Sequence, residues 1–289
     1  MARFAPLVIA CAGLIGLQEQ PPRFQSAVRT VEIYATVQGR DGRFIPGLTR
    51  DDFQIFDNGK PQAITVFDNT PQKITVAAMF DMSRSMERDY PNIRAAGGAF
   101  VRALSPEDRA RIGSFGFEVA LSPFLTSDKV ILQRILDEEL WPGGPTPLWY
   151  ATDMAMTALD REEGRRVILL ITDGDDATPF LRRSGDDVRV HAERGGFIIY
   201  AVSLPGRGIS VELSLLIEQT GGGRFLVGAH EDLGTAFVRV VEELHSQYLI
   251  GFSMPVADGK KHGVSIKVKR DGAKPRARKS YIASTGDSQ

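Results

Sequence analysis

The stretch Ile74–Ser85, "ITVAAMFDMSRS", decides how this chain folds. Its first half is almost entirely apolar, as expected for a strand that other elements cover on both faces. A carboxylate and two hydroxyls follow at alternate positions, from Asp81, Ser83 and Ser85. In open α/β sheets, ligands bind outside the carboxyl ends of the strands. The stretch therefore predicts a buried strand that ends in a ligand-holding loop.

Two more apolar runs of the same kind, "RRVILLIT" at 165–172 and "GGFIIYAVS" at 195–203, lie further along the chain. Segments with apolar residues at helical spacing separate the runs, and a last helix is predicted from about Asp232 to His245. Strands that alternate with helices indicate parallel βαβ crossovers. We therefore expect a doubly wound, mostly parallel α/β domain over residues 73–245.

Local signals mark the ends of two of these helices. Ser184 followed by Asp187 resembles a capping box with the shorter acid. Ser210 can cap the segment "VELSLLIEQT", and the glycines from Gly221 onward should end it. Both segments are therefore predicted as helices with defined starts.

The flanks of this domain, residues 28–70 and 246–284, have the alternating pattern of β-strands. In the first flank, strands at Phe53–Phe56 and Ala63–Phe67 are expected on either side of a turn at Asn58–Gly59. We predict that the two flanks pack together as one small β domain.

The totals are those of an ordinary globular protein. The chain has 289 residues, of which 43% are hydrophobic and 25% charged, and its formal net charge is −1. This length accommodates one large domain and a smaller one. A near-neutral chain offers no electrostatic case for nucleic acid as a partner.

The first residues have the layout of a secretory signal peptide, which we assign to residues 1–20. Arg3 precedes an apolar run from Phe4 to Leu17, and polar residues and prolines follow. We therefore predict a secreted or periplasmic protein. A lipoprotein anchored at Cys11 is the alternative, and membrane contact is expected only in that case. Since Cys11 is the only cysteine, the mature chain would have no disulfide.

Two other loops are expected at the same edge of the sheet as the first. One, "WPGGPTPLWYA", has two glycines that permit close backbone approach, followed by Thr146. Thr146 can alternatively cap the next helix, with Pro147 at the first helical position. The other, "ITDGDDAT", places Asp173 directly after a buried strand. The next two acids, Asp175 and Asp176, could enlarge the site, but a solvated acidic turn is predicted instead.

The three loops together offer two carboxylates and three hydroxyls, from Asp81, Ser83, Ser85, Thr146 and Asp173. Hard oxygen donors of this kind suit Mg²⁺, or Mn²⁺ in its place, and do not suit zinc. Because three of the donors are neutral, we expect the cation to be incompletely neutralised. Mg²⁺ takes six oxygens, so water would fill the coordination position that the five donors leave open. The set therefore predicts a partner protein that presents Asp or Glu to the metal.

The motif "DMSRS", with the threonine and aspartate loops, resembles the metal-ion-dependent adhesion site of von Willebrand factor type A domains. The resemblance covers residues 73–245, and the flanks resemble a bacterial group of secreted proteins related to that family. It implies a Rossmann-like fold, Mg²⁺ at the five positions above, a role in adhesion or assembly, and a final helix that moves between weak and tight binding states. Pro145, beside the glycines, and Tyr150, where many relatives have Asp, depart from the family pattern.

Two other classes of function stay open beside this binding module. Asp and Ser around Mg²⁺ would also suit a phosphoryl-transfer enzyme. The sequence, however, has no P-loop with lysine, no nucleophile elbow, and no metalloprotease spacing among its histidines. A purely structural module with a degenerate metal site is the third class. We expect a binding protein and not an enzyme.

Overall fold

The computed structural model describes residues 29–178 and 183–285. The predicted signal peptide and Cys11 lie outside the described residues. Within those two ranges, no helix has both the length and the apolar character needed to cross a bilayer.

The described chain contains fourteen strands and six α-helices. The strands are β1 (Thr30–Gln38), β2 (Phe53–Asp57), β3 (Lys60–Gln62), β4 (Ile64–Asp68), β5 (Thr75–Asp81), β6 (Arg109–Phe115), β7 (Val119–Leu121), β8 (Arg166–Ile171), β9 (Ile198–Val202), β10 (Arg224–Phe225), β11 (Tyr248–Ser253), β12 (Lys261–Val268), β13 (Lys274–Arg276) and β14 (Ser280–Ile282). The helices are α1 (Tyr90–Ala103), α2 (Lys129–Glu138), α3 (Leu148–Thr157), α4 (Gly185–Gly195), α5 (Val211–Thr220) and α6 (Leu233–His245).

The central sheet has the order β10-β9-β8-β5-β6-β7, and all of its strands are parallel except β7. Every residue of β5 is buried because helices cover both faces of the sheet. Val76, Ala78 and Phe80 pack with the buried residues of α1, α2 and α6. Ala77 and Met79 pack with those of α3, α4 and α5 on the other face. The predicted doubly wound α/β fold is confirmed.

The expected helix caps are present. Ser184 and Asp187 form a reciprocal capping box at the start of α4. The Ser210 hydroxyl accepts the Leu213 N–H at the start of α5, and Gly221 ends that helix with a positive φ of 79°. Because these signals are local, the sequence was sufficient to predict them.

Strands from the two flanks pair with each other in two further sheets, ordered β13-β1-β11-β4 and β14-β12-β2-β3. The antiparallel pairs β1–β11 and β2–β12 join the start of the described chain to its end. Ile33, Ile55, Ile250 and Phe252 lie in the core that these sheets enclose.

The two strands expected on either side of the turn at Asn58–Gly59 are present as β2 and β4, but they do not pair with each other across it. β2 pairs with β3, Lys60–Gln62, whereas β4 pairs with β11 in the other sheet. A turn with positive φ at both Asn58 and Gly59 closes a two-residue hairpin, which requires the strand to resume at once. The more apolar segment that follows is therefore free to join a different sheet.

A buried polar network joins α6 to the flanking strands. The Glu243 carboxylate accepts hydrogen bonds from the Tyr200 hydroxyl at 2.6 Å and the Thr36 hydroxyl at 3.2 Å, and it pairs with the Arg276 guanidinium. Glu243 is 2% exposed, so Arg276 supplies the counter-charge that a buried carboxylate requires.

Candidate metal centre

The loops after β5 and β8 lie at the same edge of the central sheet because these strands are parallel neighbours. Phe80 of β5 is in register with Ile171 of β8, and Asp81 is in register with Phe115 of β6. Asp81 and Asp173 therefore leave the sheet side by side. Every residue of β5 and all but the first of β8 are buried, so both loops begin from well-packed strands.

The Asp81 carboxylate is fully buried and held by two hydrogen bonds. The Ser83 N–H donates to Oδ1 at 3.0 Å, and the Thr172 hydroxyl donates to Oδ2 at 2.8 Å. Burial raises the pKa of Asp81 to about 6; interactions with the Ser83 side chain, the Ser83 amide and the Thr172 hydroxyl partly oppose the shift, and the nearby charge of Asp173 adds to it. The protein therefore positions this carboxylate without fully compensating its charge, which favours a cation beside it.

A chain of hydrogen bonds connects the loop after β5, here the first loop, to the loop after β8, the third loop. The hydroxyls of Ser83 and Ser85 lie 3.1 Å apart, and the Ser85 hydroxyl donates to Oδ2 of Asp173, also at 3.1 Å. The structure thus brings four of the five candidate residues into one connected cluster: Asp81, Ser83, Ser85 and Asp173.

The loop that carries Thr146 is joined to the first loop through its backbone. The Gly143 N–H donates to the Met82 carbonyl at 2.7 Å, and the Arg84 N–H donates to the Gly144 carbonyl at 3.0 Å. Gly144 has a φ of 83°, and a Cβ on it would lie 2.5 Å from the backbone of Phe117. Only glycine fits at this contact.

Thr146 lies at this loop but is not hydrogen-bonded to the other four side chains. Its carbonyl accepts the Ala177 N–H of the third loop at 2.9 Å. Its side chain is buried, with 6% exposed. Thr146 is therefore joined to the third loop through its backbone, but its hydroxyl is not part of the connected cluster.

The capping alternative for Thr146 is wrong, and so is the prediction of a solvated turn at Asp176. Pro147, and not Thr146, is the N-cap residue of α3, and the N-cap makes no side-chain hydrogen bond to the helix. Instead, the Asp176 carboxylate accepts the Trp149 N–H at 3.0 Å and, through its other oxygen, the Thr178 N–H at 2.9 Å. The Asp176 carboxylate therefore caps the start of α3 in place of the Thr146 hydroxyl.

Two residues that support the cluster were not predicted. Thr172 donates to Asp81 and also accepts the Gly174 N–H at 3.0 Å. The Tyr90 hydroxyl lies 2.7 Å from the carbonyl oxygens of both Met82 and Ser83 and accepts the Gly143 N–H at 3.2 Å. The position of Thr172 directly before Asp173 was a usable signal, whereas nothing in the sequence pointed to Tyr90.

A third unpredicted residue, Arg207, lies in the loop between β9 and α5. Its Nη1 is 3.0 Å from Oδ2 of Asp173, and its Nη2 is 3.0 Å from the Ser85 carbonyl oxygen. The guanidinium therefore contacts both the first and the third loop. The available signal was topological, because the loop after β9 also lies at the carboxyl edge of the sheet.

The chemistry of the donors fits a hard divalent cation. The cluster offers carboxylate and hydroxyl oxygens, which are ligands for Mg²⁺ or Mn²⁺. Across residues 29–178 and 183–285, no group of three or more His, Cys, Asp or Glu side chains could hold a metal ion. A cation at this edge would therefore depend on the hydroxyls as well as on the two acids.

Comparison with solved structures identifies the fold. The chain matches a von Willebrand factor type A structure from Catenulispora acidiphila with a TM-score of 0.52, over 91% of this chain and 76% of that chain, at 11% identity. It matches proximal thread matrix protein 1 of the mussel byssus with a TM-score of 0.50, over 76% of this chain and 50% of that chain, at 16% identity. No protein-family model and no curated protein matches the sequence. The chain therefore has the fold of a von Willebrand factor type A domain, as the resemblance of its sequence predicted.

Proposed function

We propose that this protein is an extracytoplasmic binding module that docks an acidic residue of a partner protein on a bound Mg²⁺ or Mn²⁺. The metal ligands would be the oxygens of Asp81, Ser83, Ser85, Thr146 and Asp173. The extracytoplasmic location rests on the signal peptide predicted at residues 1–20.

One observation carries the proposal. Asp81 is buried at the carboxyl edge of the sheet, oriented by two hydrogen bonds, and connected through the two serine hydroxyls to Asp173. Burial of a carboxylate without a cationic partner is costly, and a divalent cation would relieve that cost. A bound cation would also explain why a carboxylate and two hydroxyls follow the strand at alternate positions, Asp81, Ser83 and Ser85.

The charge balance favours an acidic ligand. Asp81 and Asp173 are the only acids among the five proposed ligands, and Asp173 already pairs with Arg207. A divalent cation here would keep part of its positive charge. Mg²⁺ takes six oxygens in near-octahedral geometry and fills the remaining positions with water, which a carboxylate can replace.

Catalysis is less well supported than binding. Phosphoryl transfer would need a group that accepts the proton of the nucleophile. Three of the four histidines are instead held by aspartates that are not in the cluster: His191 by Asp153, His245 by Asp108 and His262 by Asp57. Within the described residues, no histidine is hydrogen-bonded to the proposed metal ligands.

A metal titration tests the metal-binding half of the proposal. We expect Mg²⁺ or Mn²⁺ to raise the melting temperature of the chelator-treated protein in a saturable way. The shift should be lost in Asp81→Asn and Asp173→Asn and kept in Asp271→Asn, which changes an exposed carboxylate of the same kind. A folded wild-type protein that shows no saturable shift would favour the structural class.

Affinity capture tests the docking half. The mature protein would be immobilised with Mg²⁺, and bound proteins would be eluted with chelator. We expect a partner that elutes with chelator and does not bind the Asp81→Asn variant. Mg²⁺-dependent hydrolysis of phosphate esters that is lost in this variant would instead support the enzyme.

A further inference from the structure

The side chain of Arg207 extends from its own loop to the proposed metal ligands. Its guanidinium is 3.0 Å from Asp173 and 3.0 Å from the Ser85 carbonyl oxygen, and Asp89 lies at 3.8 Å. Only 36% of the side chain is exposed. It is therefore a partly buried cation in direct contact with one of the proposed metal ligands.

Arg207 and Ser85 share one oxygen of Asp173. Oδ2 accepts a hydrogen bond from the Ser85 hydroxyl and another from Nη1 of Arg207. A carboxylate oxygen that is occupied in this way has less capacity left for a metal. The charge of the guanidinium also repels a divalent cation nearby, and this repulsion is strong where water is partly excluded.

The position of the Arg207 loop does not depend on this side chain. The Gly206 N–H donates to the Val227 carbonyl at 3.1 Å, and the Arg207 N–H donates to the Leu204 carbonyl at 3.0 Å. Leu204 and Val227 both belong to the core. Removal of the guanidinium should therefore change the charge at the cluster while the backbone around it stays in place.

We propose that Arg207 is an affinity-setting residue of the metal site, which pairs with Asp173 in the metal-free protein and competes with the cation. This inference rests on the proposed function, because it concerns the same site. The direction of the change in metal affinity distinguishes this role from a purely structural one. A neutral residue at this position should strengthen metal binding, whereas loss of a purely structural contact would weaken it or leave it unchanged.

The test uses Mn²⁺ titration by calorimetry, together with melting curves in chelator and in saturating Mn²⁺. Arg207→Gln and Arg207→Met remove the charge, and Arg207→Lys keeps it. Arg40→Gln is the matched control, since Arg40 forms an exposed ion pair with Asp271 at 2.9 Å. A neighbouring charge changes the proton affinity of a carboxylate by about 10- to 1000-fold, so we expect at least about tenfold tighter Mn²⁺ binding in the neutral variants.

Melting curves provide a second readout. In chelator, the neutral variants should melt below the wild type because Asp173 loses its partner, and saturating Mn²⁺ should raise their melting temperatures by more than it raises that of the wild type. The Lys variant and the Arg40 control should bind Mn²⁺ within about threefold of wild type, which is less than 1 kcal/mol. The chelator curves also establish that each variant is folded. If Arg207→Gln is not folded, the comparison uses Arg207→Met.

The outcomes separate this inference from the proposed function. Neutral variants that bind no more tightly than a metal-binding wild type would overturn the inference and leave the proposed function intact. Tighter binding in the Lys variant as well would also overturn it, because charge would not be the cause. If only the neutral variants bind Mn²⁺, both proposals are supported, and if no protein binds, both fail.

Discussion

The buried charge of Asp81 should make the metal-free protein less stable at neutral pH than a variant without that charge. In Asp81→Asn, the amide oxygen can still accept the Ser83 N–H, and the amide nitrogen can donate to the Thr172 oxygen. The substitution therefore keeps the shape of the site and removes the charge. We expect the variant to lose metal binding and to gain stability in chelator.

The magnitude follows from the pKa of Asp81. Burial raises this pKa from 3.8 to about 6, so the folded protein binds more protons than the unfolded chain between these values. The free energy of unfolding then falls as pH rises through this window, and the loss is complete above pH 6. At about 1.4 kcal/mol per pH unit, the full loss is about 3 kcal/mol. Because the Asn variant gives up part of its hydrogen bonding, we expect a net gain of about 1–3 kcal/mol at pH 7.5.

The assay is thermal and urea unfolding of wild type and Asp81→Asn, in chelator, at pH 4 and pH 7.5. For a chain of this size, 1 kcal/mol corresponds to about 2 °C in melting temperature. The Asn variant should melt higher at pH 7.5, and its advantage should disappear at pH 4, where wild-type Asp81 is protonated. Saturating Mg²⁺ should stabilise the wild type and not the variant.

Asp108→Asn is the matched control because Asp108 is equally buried but its pKa moves in the opposite direction. Burial would raise the pKa of Asp108, but hydrogen bonds from His245 and from the amides of Ile74 and Ser105 together lower it. The control variant should therefore be less stable than wild type at pH 7.5. If Asp81→Asn is also less stable there in chelator, the reasoning about its buried charge is wrong.

Three further predictions concern the metal, the network and the glycines. Mn²⁺ affinity should fall about tenfold per pH unit below pH 6, since a proton then competes for Asp81, and calorimetry at several pH values would detect a flat profile if this is wrong. Glu243→Gln should cost about 3 kcal/mol in urea unfolding because it leaves the Arg276 guanidinium without its buried counter-charge, and a cost below 1 kcal/mol would contradict this. Gly144→Ala should lower both melting temperature and Mn²⁺ affinity because its Cβ would clash with a neighbouring backbone, whereas Gly143→Ala meets no atom within 4 Å and should do less damage.

Much of the fold was predictable because its signals are local or periodic. The uninterrupted apolar run that ends at Asp81 predicts a strand covered on both faces, and β5 is buried throughout. The serines at 184 and 210 were sufficient to predict two helix starts, because a cap involves residues only three positions apart. The edge at which the loops gather followed from strand direction alone.

The hydrogen-bond partners across loops were decided only by the tertiary structure. The sequence indicated Asp81 and Asp173 as candidate residues, and strand direction places the loop of Arg207 at the same edge. It did not indicate that Asp176 would cap α3 or that the Arg207 side chain would extend to Asp173. Contacts of this kind join residues that are tens of positions apart, and they depend on side-chain reach and on the exact path of each loop. Chain composition and periodicity determine which segments are buried, whereas the pairing of charges at the sheet edge depends on distances that exist only after the chain has folded.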